Sequence, residues 1–207
     1  MRLTLELNGP RISLRLRLEE QSEALPDMEP PTILTVVIPV RAGGYPEITL
    51  RTLAAQTFRD FDVVVSQDEI GNANWARNMG FKMVRSEFVL FSDDDISWEP
   101  DAIETLLATL KASPQASYAY GSYEMGGRTF CDEPFDAAKL RRRNYISTMS
   151  LIRTADVPGF DQNILRLQDL DLRLTLLSKG KVGVSCGRLI FRAAGRNGHH
   201  RRRRDLL

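Results

Sequence analysis

Cysteine is scarce in this chain of 207 residues, which contains only Cys131 and Cys186. Two cysteines cannot form the disulfide framework of a small secreted domain, and neither lies in a C-x-x-C or Cys/His pattern with metal-ligand spacing. The sequence therefore argues against a disulfide scaffold and a zinc ribbon. Two reduced thiols are the expected state in a reducing compartment.

Long apolar runs are also missing from the sequence. No stretch approaches the ~20 consecutive apolar residues that a transmembrane helix requires. The N-terminus lacks the charged and then apolar layout of a signal peptide. The sequence therefore predicts a cytoplasmic protein without a transmembrane segment.

Neither sign of charge dominates, because 28 Lys and Arg residues face 27 Asp and Glu residues and the formal net charge is +1. Global charge thus identifies no partner. A G-x-G-x-x-G loop is absent, which argues against a dinucleotide enzyme, and no Ser/His/Asp set or internal repeat is visible. With 43% hydrophobic residues, the composition is that of one globular α/β domain.

The chain divides into three parts by pattern. Residues 1–31 contain two stretches in which leucine or isoleucine alternates with polar residues around Asn8-Gly9-Pro10, followed by a polar, proline-containing stretch. This pattern predicts a β-hairpin and a linker. Residues 32–192 form the predicted catalytic domain, and residues 193–207 form a basic C-terminal tail.

Within the catalytic domain, apolar strand-like runs alternate with segments of helical periodicity. We predict strands at 33–38, 61–66 and 88–92 and helices at 46–56, 73–84 and 101–110. This alternation is typical of an α/β fold with an open, mostly parallel central sheet flanked by helices. Ligands of such sheets bind at the carboxyl ends of the strands.

The third predicted strand ends in three consecutive carboxylates, Asp93, Asp94 and Asp95. Like charges this close repel one another unless a cation or water compensates them. Carboxylate oxygens are hard ligands that suit Mg²⁺ or Mn²⁺. The alternative is an acidic stretch that stabilises the amino end of the next helix. The residues alone leave both interpretations open.

Seven short segments follow one another along the predicted catalytic domain. These segments are 35–40 (TVVIPV), 50–58 (LRTLAAQTF), 74–80 (NWARNMG), 88–95 (FVLFSDDD), 144–147 (NYIS), 159–161 (GFD) and 167–174 (LQDLDLRL). Their order resembles the family 2 glycosyltransferases, which have the GT-A fold. The resemblance covers roughly residues 32–192, and its specificity comes from the order and spacing of these individually weak segments.

The resemblance implies a donor site for a nucleotide-diphosphate sugar. Asp93 and Asp95 match the two fixed positions of the family's D-x-D motif and are the expected ligands of a divalent cation, Mn²⁺ or Mg²⁺. Arg77 matches a basic position that faces the nucleotide, and a guanidinium suits phosphate recognition. The full set of expected donor-binding residues is Pro39, Gln67, Asp68, Arg77, Asp93 and Asp94. Gln67 and Asp68 stand where the family usually has paired acids, so either could contact the base.

The resemblance also implies a catalytic base and an acceptor side. Asp169 matches the acidic position that takes the proton of the acceptor hydroxyl, and Tyr145, Ser147 and Asp171 are expected on the acceptor side. The family often has Glu before this aspartate, whereas this chain has Gln168. The alternative is that Asp169 only caps a helix over 170–178.

The basic tail permits further interpretations. His199 is a candidate third metal ligand, as in some enzymes of this fold. Arg201 to Arg204, together with Arg141 to Arg143, are alternatively a patch for an anionic acceptor such as modified DNA, or the tail is simply a solvated end.

Taken together, the sequence predicts a metal-dependent, inverting glycosyltransferase of the hexosyltransferase type. It would move a sugar from a nucleotide-diphosphate donor, with a UDP-sugar preferred, to a hydroxyl of a glycan or of a hydroxymethylated DNA base. Two alternatives remain. One is a sugar-phosphate nucleotidyltransferase, although the chain lacks the longer Gly-rich loop expected for a triphosphate. The other is a non-catalytic binding module for sugar or nucleic acid with the same fold.

Overall fold

The computed structural model describes residues 32–131 and 133–193, and it describes the backbone of residues 2–8 and 11–17. Its centre consists of the strands β3 (Leu34–Arg41), β4 (Phe61–Asp68) and β5 (Phe88–Phe91), in the order β4-β3-β5 and all parallel. Helix α1 (Glu47–Ala54) follows β3, and helix α2 (Ala73–Phe81) follows β4. The predicted alternation of strands and helices is therefore confirmed.

The sheet extends on both sides of this centre. The remaining elements are β1 (Arg2–Asn8), β2 (Arg11–Arg17), β6 (Ile96–Trp98), α3 (Ala102–Lys111), β7 (Ala116–Met125), β8 (Arg128–Phe130), α4 (Ala137–Leu140), β9 (Leu151–Arg153), a 3-10 turn (Thr154–Asp156), α5 (Gln168–Ser178) and β10 (Val182–Ala193). The order among the described residues is β1-β2-β4-β3-β5-β9-β7-β10-β6, and β8 pairs with β7.

The prediction of a mostly parallel sheet holds for the centre, whereas the sheet as a whole is mixed. β7 and β10 form a further parallel pair, but β9 runs antiparallel between β5 and β7. β6 and β8 also pair antiparallel with their neighbours. Antiparallel neighbours need no helical crossover, so they leave no alternation of strand and helix in the sequence.

The predicted N-terminal hairpin is present. β1 and β2 pair antiparallel, and β2 pairs antiparallel with β4, with position 14 opposite position 63. The hairpin therefore lengthens the central sheet along β4. The linker predicted after it and the C-terminal tail lie outside the described residues.

Helices cover both faces of the central strands. Val36 of β3 belongs to a buried apolar cluster with Leu53 of α1 and Leu106 of α3. The next residue, Val37, belongs to the opposite cluster, which includes Leu172 of α5. Because both faces of β3 are buried, its sequence is a continuous apolar run instead of an alternating one.

A glycine permits the close packing of α2 on this sheet. A Cβ atom on Gly80 would lie 2.5 Å from Cγ1 of Val37 and 3.2 Å from Cβ of Ser66. The absence of a side chain lets the helix approach β3 and β4 and brings the opposite end of α2 to the carboxyl ends of the strands. In the described part of the chain, no helix is long and apolar enough to cross a membrane.

Candidate functional site

A cavity of about 890 Å³ opens at the carboxyl ends of β3, β4 and β5, where an open α/β sheet is expected to bind ligands. We call it the carboxylate cavity because Asp93, Asp94 and Asp95 lie together in its wall. It also contains the predicted residues Pro39, Asp68 and Arg77. The other lining residues are Val40, Arg41, Ala42, Glu69, Gly71, Asn72, Ala73, Leu165 and Gln168.

The three carboxylates repel one another. Burial, followed by the charges of Asp95 and then Asp93, raises the pKa of Asp94 above its ordinary value, although Arg41 opposes this shift. The two neighbouring carboxylates add to the effect of burial, so negative charge is concentrated at this wall. A ligand that brings positive charge to the cavity would relieve it.

Arg77 lies behind the carboxylates and is 6% exposed. Its Nη2 donates to Oδ1 of Asp93 at 2.9 Å, and its Nη1 donates to Asn74 at 3.1 Å and to Oε1 of Gln168 at 3.4 Å. The guanidinium also lies 5.4 Å from the ring centroid of Phe160. Arg77 therefore connects α2, the acidic segment and the start of α5. The sequence suggested a phosphate contact and gave no sign of this bridge.

The two candidates at the end of β4 have different positions. Asp68 lines the carboxylate cavity, and its Oδ1 accepts hydrogen bonds from the backbone N–H groups of Ile70 and Asn72. Gln67 is not among the described residues that line the cavity. Its Oε1 is buried and has no hydrogen-bond partner among the described residues. Successive side chains of a strand point to opposite faces, so only one of the two can reach a ligand in this cavity.

The carboxylates fit a divalent cation as partial ligands. In the described residues, no group of three or more His, Cys, Asp or Glu side chains converges to hold a metal. Mg²⁺ usually takes one or two protein carboxylates and fills its other positions with water and substrate phosphates. Hard oxygen donors with the mutual repulsion seen at Asp94 match that requirement. The predicted ligand His199 lies outside the described residues.

A second cavity, of about 370 Å³, contains the predicted base. We call it the Asp169 cavity. It lies under β8 and beside the start of α5. Its lining residues are Tyr123, Thr129, Phe130, Cys131, Glu133, Arg143, Asn144, Tyr145, Ile146, Ser147 and Asp169.

Asp169 is held by two hydrogen bonds. Nδ2 of Asn144 donates to its Oδ2 at 2.6 Å, and the N–H of Leu170 donates to its Oδ1 at 3.0 Å. The helix begins at Gln168, and Leu167 is the N-cap residue, in the left-handed conformation with φ 57°. Asp169 is thus not the N-cap that the alternative interpretation required. A left-handed non-glycine residue is a costly conformation often found at functional sites.

A buried cation lies one helical turn after Asp169. Arg173 is fully buried, and its Nη2 donates to the carbonyl of Ser147 at 2.9 Å and to the hydroxyl of Ser150. Its guanidinium lies 4.3 Å from the ring centroid of Tyr118. Burial lowers the pKa of Arg173, whereas Tyr118 and Asp169 raise it. The charges of Arg173 and Asp169 therefore attract each other along the first turns of α5.

The predicted acceptor-side residues divide between two places. Tyr145 and Ser147 line the Asp169 cavity, but Tyr145 Oη bonds the backbone of Asp136 and Ser147 Oγ accepts from the N–H of Met149. Asp171 instead lines a separate cavity on the other side of α5. The prediction placed Asp171 beside Asp169, but residues two apart on a helix do not face each other.

The contacts of several residues in the Asp169 cavity could not be predicted from local sequence patterns. Asn144 belongs to the matched segment 144–147, yet its contact with Asp169 spans 25 positions in the chain. Tyr123 and Phe130 face each other only because β7 and β8 pair. Cys131 and Cys186 are both free thiols, and Cys131 is buried in the wall of this cavity.

Comparison with known proteins adds three findings. The profile of "Glycosyl transferase family 2" matches residues 51–194. The uncharacterized protein y4gI of Sinorhizobium fredii is 26% identical over 197 residues, covering 83% of this chain and 21% of that protein. The chain therefore spans about a fifth of the length of this relative.

Solved structures of TarS from S. aureus share the fold. TarS 1-349 in complex with UDP-GlcNAc matches with a TM-score of 0.66 and 17% identity, over 81% of this chain and 60% of that one. The complex with UDP matches with a TM-score of 0.64 and 17% identity, over 78% of this chain and 60% of that one. The chain thus spans less than two thirds of these structures.

Proposed function

This chain belongs to glycosyl transferase family 2, and from that premise we propose that it transfers a sugar from a nucleotide-diphosphate donor to an acceptor hydroxyl. The donor occupies the carboxylate cavity, and the acceptor occupies the Asp169 cavity. A UDP-sugar is the preferred donor, because TarS, which has the same fold, is described in complexes with UDP and UDP-GlcNAc.

One observation carries this proposal. Gln168 lines the carboxylate cavity, and the next residue, Asp169, lines the other cavity. The two cavities therefore border the same turn, the first of α5. A donor held by the carboxylates would place its anomeric carbon toward the same helix that carries the base, which is the arrangement needed for transfer between two bound substrates.

Asp169 takes the proton of the acceptor hydroxyl as that oxygen attacks the anomeric carbon. The bond between the anomeric carbon and the diphosphate oxygen breaks, and its electron pair leaves with the nucleoside diphosphate, so the configuration inverts. Asn144 and the N–H of Leu170 hold the carboxylate in place during this step.

In the carboxylate cavity, charged side chains would bind the donor's diphosphate through a divalent cation. Asp93 and Asp95 would hold a Mg²⁺ or Mn²⁺ ion, which supplies Lewis-acid stabilisation of the leaving diphosphate. Arg77 fixes Asp93 through the 2.9 Å ion pair and so orients one of these two carboxylates. Asp68 holds the turn at residues 70–72 along the cavity wall through two backbone hydrogen bonds.

The test is a panel of UDP-, GDP- and dTDP-sugars with Mn²⁺ or Mg²⁺, read as release of nucleoside diphosphate. We expect one nucleotide to be preferred, with release lost in Asp95→Ala. Glu87→Gln serves as the matched control, because Glu87 is an exposed acid at the opposite end of β5. Pyrophosphate release from a nucleoside triphosphate and a sugar phosphate would instead indicate a nucleotidyltransferase. Absence of binding and turnover with every donor would indicate a binding module.

A further inference from the structure

Three aromatic rings form a stack that ends in the Asp169 cavity. The ring of Phe191, in β10, is fully buried and lies 4.8 Å from the ring of Tyr123, with an angle of 5° between the planes. Tyr123 in turn lies 5.2 Å from Phe130, at 17°. Phe130 is the outermost ring, and it is 36% exposed.

The position of Phe130 is unusual for an apolar side chain. β8 is a three-residue strand whose residues are all exposed, and it pairs with β7 so that Phe130 lies opposite Tyr123. The turn between the strands contains Gly126 and Gly127, both with positive φ, as in tight hairpin turns. The hairpin therefore places Phe130 in the cavity wall, with one of its ring faces covered by Tyr123.

The groups around this ring accept hydrogen bonds. The carboxylates of Asp169 and Glu133 and the side-chain amide of Asn144 line the same cavity. Tyr123 lies close enough to the base that the charge of Asp169 contributes to raising the pKa of Tyr123, after burial and Cys131. The stack and the base therefore belong to one site.

Charge argues against a phosphate-bearing acceptor in this cavity. Arg143 is the only cationic side chain among the described lining residues, and it donates to Glu133 at 2.6 Å. Lys139 also pairs with Glu133. Arg141 and Arg142 are exposed but are not among the described residues of the cavity wall. Arg143 and Lys139 are thus both engaged by Glu133, so the described wall offers a phosphate no unengaged cation. The carboxylates and the side-chain amide instead accept hydrogen bonds from neutral hydroxyl groups.

From this geometry we infer that Phe130 is the stacking platform of an acceptor subsite for an uncharged pyranose ring. This inference rests on the proposed function, since it names the acceptor class of the same site. The electron-rich face of the aromatic ring attracts the weakly positive C–H groups on one face of a sugar. The hydroxyl groups at the sugar's edge reach Asp169, Asn144 and Glu133. The cavity of about 370 Å³ is near the lower end of ligand-site volumes, which suits one or two sugar rings.

The test measures binding first, so that it does not depend on turnover. Methyl glycosides of glucose, galactose and N-acetylglucosamine are added singly to the full chain with UDP and Mg²⁺, and saturation-transfer NMR records contact with the ring C–H protons. A single-stranded oligonucleotide containing 5-hydroxymethylcytosine is the competing probe. We expect at least one glycoside to bind with millimolar affinity and the oligonucleotide not to displace it.

Variants identify the platform. Phe130→Ala should weaken glycoside binding at least tenfold, and Phe130→Trp should restore it to within about threefold, because only the aromatic face is needed. Ile48→Ala is the matched control, since it removes an exposed apolar side chain from α1, away from both cavities, and should leave binding unchanged. Circular dichroism verifies that Phe130→Ala folds, and Phe130→Trp keeps the test valid if it does not.

Three results would overturn the inference. The first is that no glycoside binds, and the second is that Phe130→Ala binds glycoside as well as the wild type does. The third is that the oligonucleotide alone binds in the Asp169 cavity. Release of UDP from the donor is measured on the same samples. Donor cleavage without glycoside binding refutes the platform alone, whereas Phe130-dependent binding without any donor cleavage supports the platform and refutes the proposed function.

Discussion

The two cavities hold their charges in opposite ways. In the carboxylate cavity, three consecutive aspartates repel one another, and the pKa of Asp94 is raised by burial and by its neighbours. In the Asp169 cavity, the carboxylate has an amide donor, a backbone donor and a buried cation nearby. The first cavity therefore concentrates negative charge, which the cation of the proposed function would offset, whereas the second holds its carboxylate in a fixed position by hydrogen bonds.

The largest effect on sugar transfer is expected from a substitution of Asp169, the proposed base. Asp169→Asn keeps the shape of the side chain but cannot take a proton, so sugar transfer should fall by about 10³-fold, within the usual range for a general base. Donor binding should change less than threefold, because Asp169 lies outside the carboxylate cavity. Steady-state kinetics with a binding assay for UDP separate the two quantities. Transfer above a tenth of wild type would exclude Asp169 as the base.

The second-largest effect is expected from Asp95→Ala, in the carboxylate cavity. We expect metal-stimulated release of nucleoside diphosphate to fall by about 10²-fold, because a proposed ligand of the cation is lost. Binding of Mn²⁺ in the presence of UDP, followed by electron paramagnetic resonance, should weaken in parallel. Unchanged Mn²⁺ binding would refute the assignment of Asp95, and Asp60→Asn, on the loop before β4, serves as a control.

A substitution of Arg77 tests the link between the acidic segment and the start of α5. Arg77→Met removes the ion pair with Asp93 and the contact with Gln168, so KM for the donor should rise about tenfold and kcat should also fall. The melting temperature should drop as well, since a buried hydrogen-bonded cation is lost. Arg85→Met is the control, because the described hydrogen bonds of Arg85 go to backbone carbonyls after α2. A lower melting temperature with unchanged kinetics would mean that Arg77 is structural alone.

Asn144 should have a smaller effect, confined to one cavity. Asn144→Ala removes the 2.6 Å hydrogen bond to Asp169, and a hydrogen bond to a charged group contributes about 1.5–3 kcal/mol. The kcat of transfer should fall about tenfold while KM for the donor stays constant. Equal changes in both constants would mean that the variant disturbs the fold.

The smallest effect is a sensitivity to alkaline pH that originates in buried thiol and phenol groups, two of which, Cys131 and Tyr123, line the Asp169 cavity. Burial raises the pKa of Cys131 from 9.0 to about 12, and burial raises the pKa of Tyr118 and Tyr123 from 10.0 to about 12. Between these values the unfolded chain loses protons that the folded chain retains, so the free energy of unfolding falls as pH rises from about 9 to 12.

Thermal unfolding at pH 8 and pH 10.5 measures this loss. A cost on the order of 2 kcal/mol from Cys131 alone corresponds to a decrease of roughly 4–8 °C in melting temperature. Cys131→Ala should show a smaller decrease between the two pH values than wild type. An equal decrease in both proteins would assign the sensitivity to other groups.

Sequence reasoning succeeded where the signal was local. The apolar runs predicted β3, β4 and β5, and the end of β5 predicted where the carboxylates lie. It failed where position depended on distant pairing. β9 inserts between β5 and β7, and β10 returns along β7 with irregular register. No short pattern encodes these contacts, because strand pairing is set by packing across the whole sheet.

The same contrast between local patterns and distant contacts holds for the candidate site. Asp169 could be placed by its segment, but its partner Asn144 is 25 positions away. Asp171 was wrongly grouped with Asp169, since a sequence spacing of two was treated as proximity on a helix. Phe130 could not be identified as a cavity residue, because only the pairing of β8 with β7 brings it there.

The β7–β8 hairpin also has a consequence for how this protein can change. Its short strand pairs with β7 and lies beside the main path of the sheet, and its turn consists of two glycines. Substitutions in residues 126–130 would therefore alter the proposed acceptor surface while leaving the buried core and Asp169 in place. Under the proposed function, directed evolution of a new acceptor preference should begin with these residues.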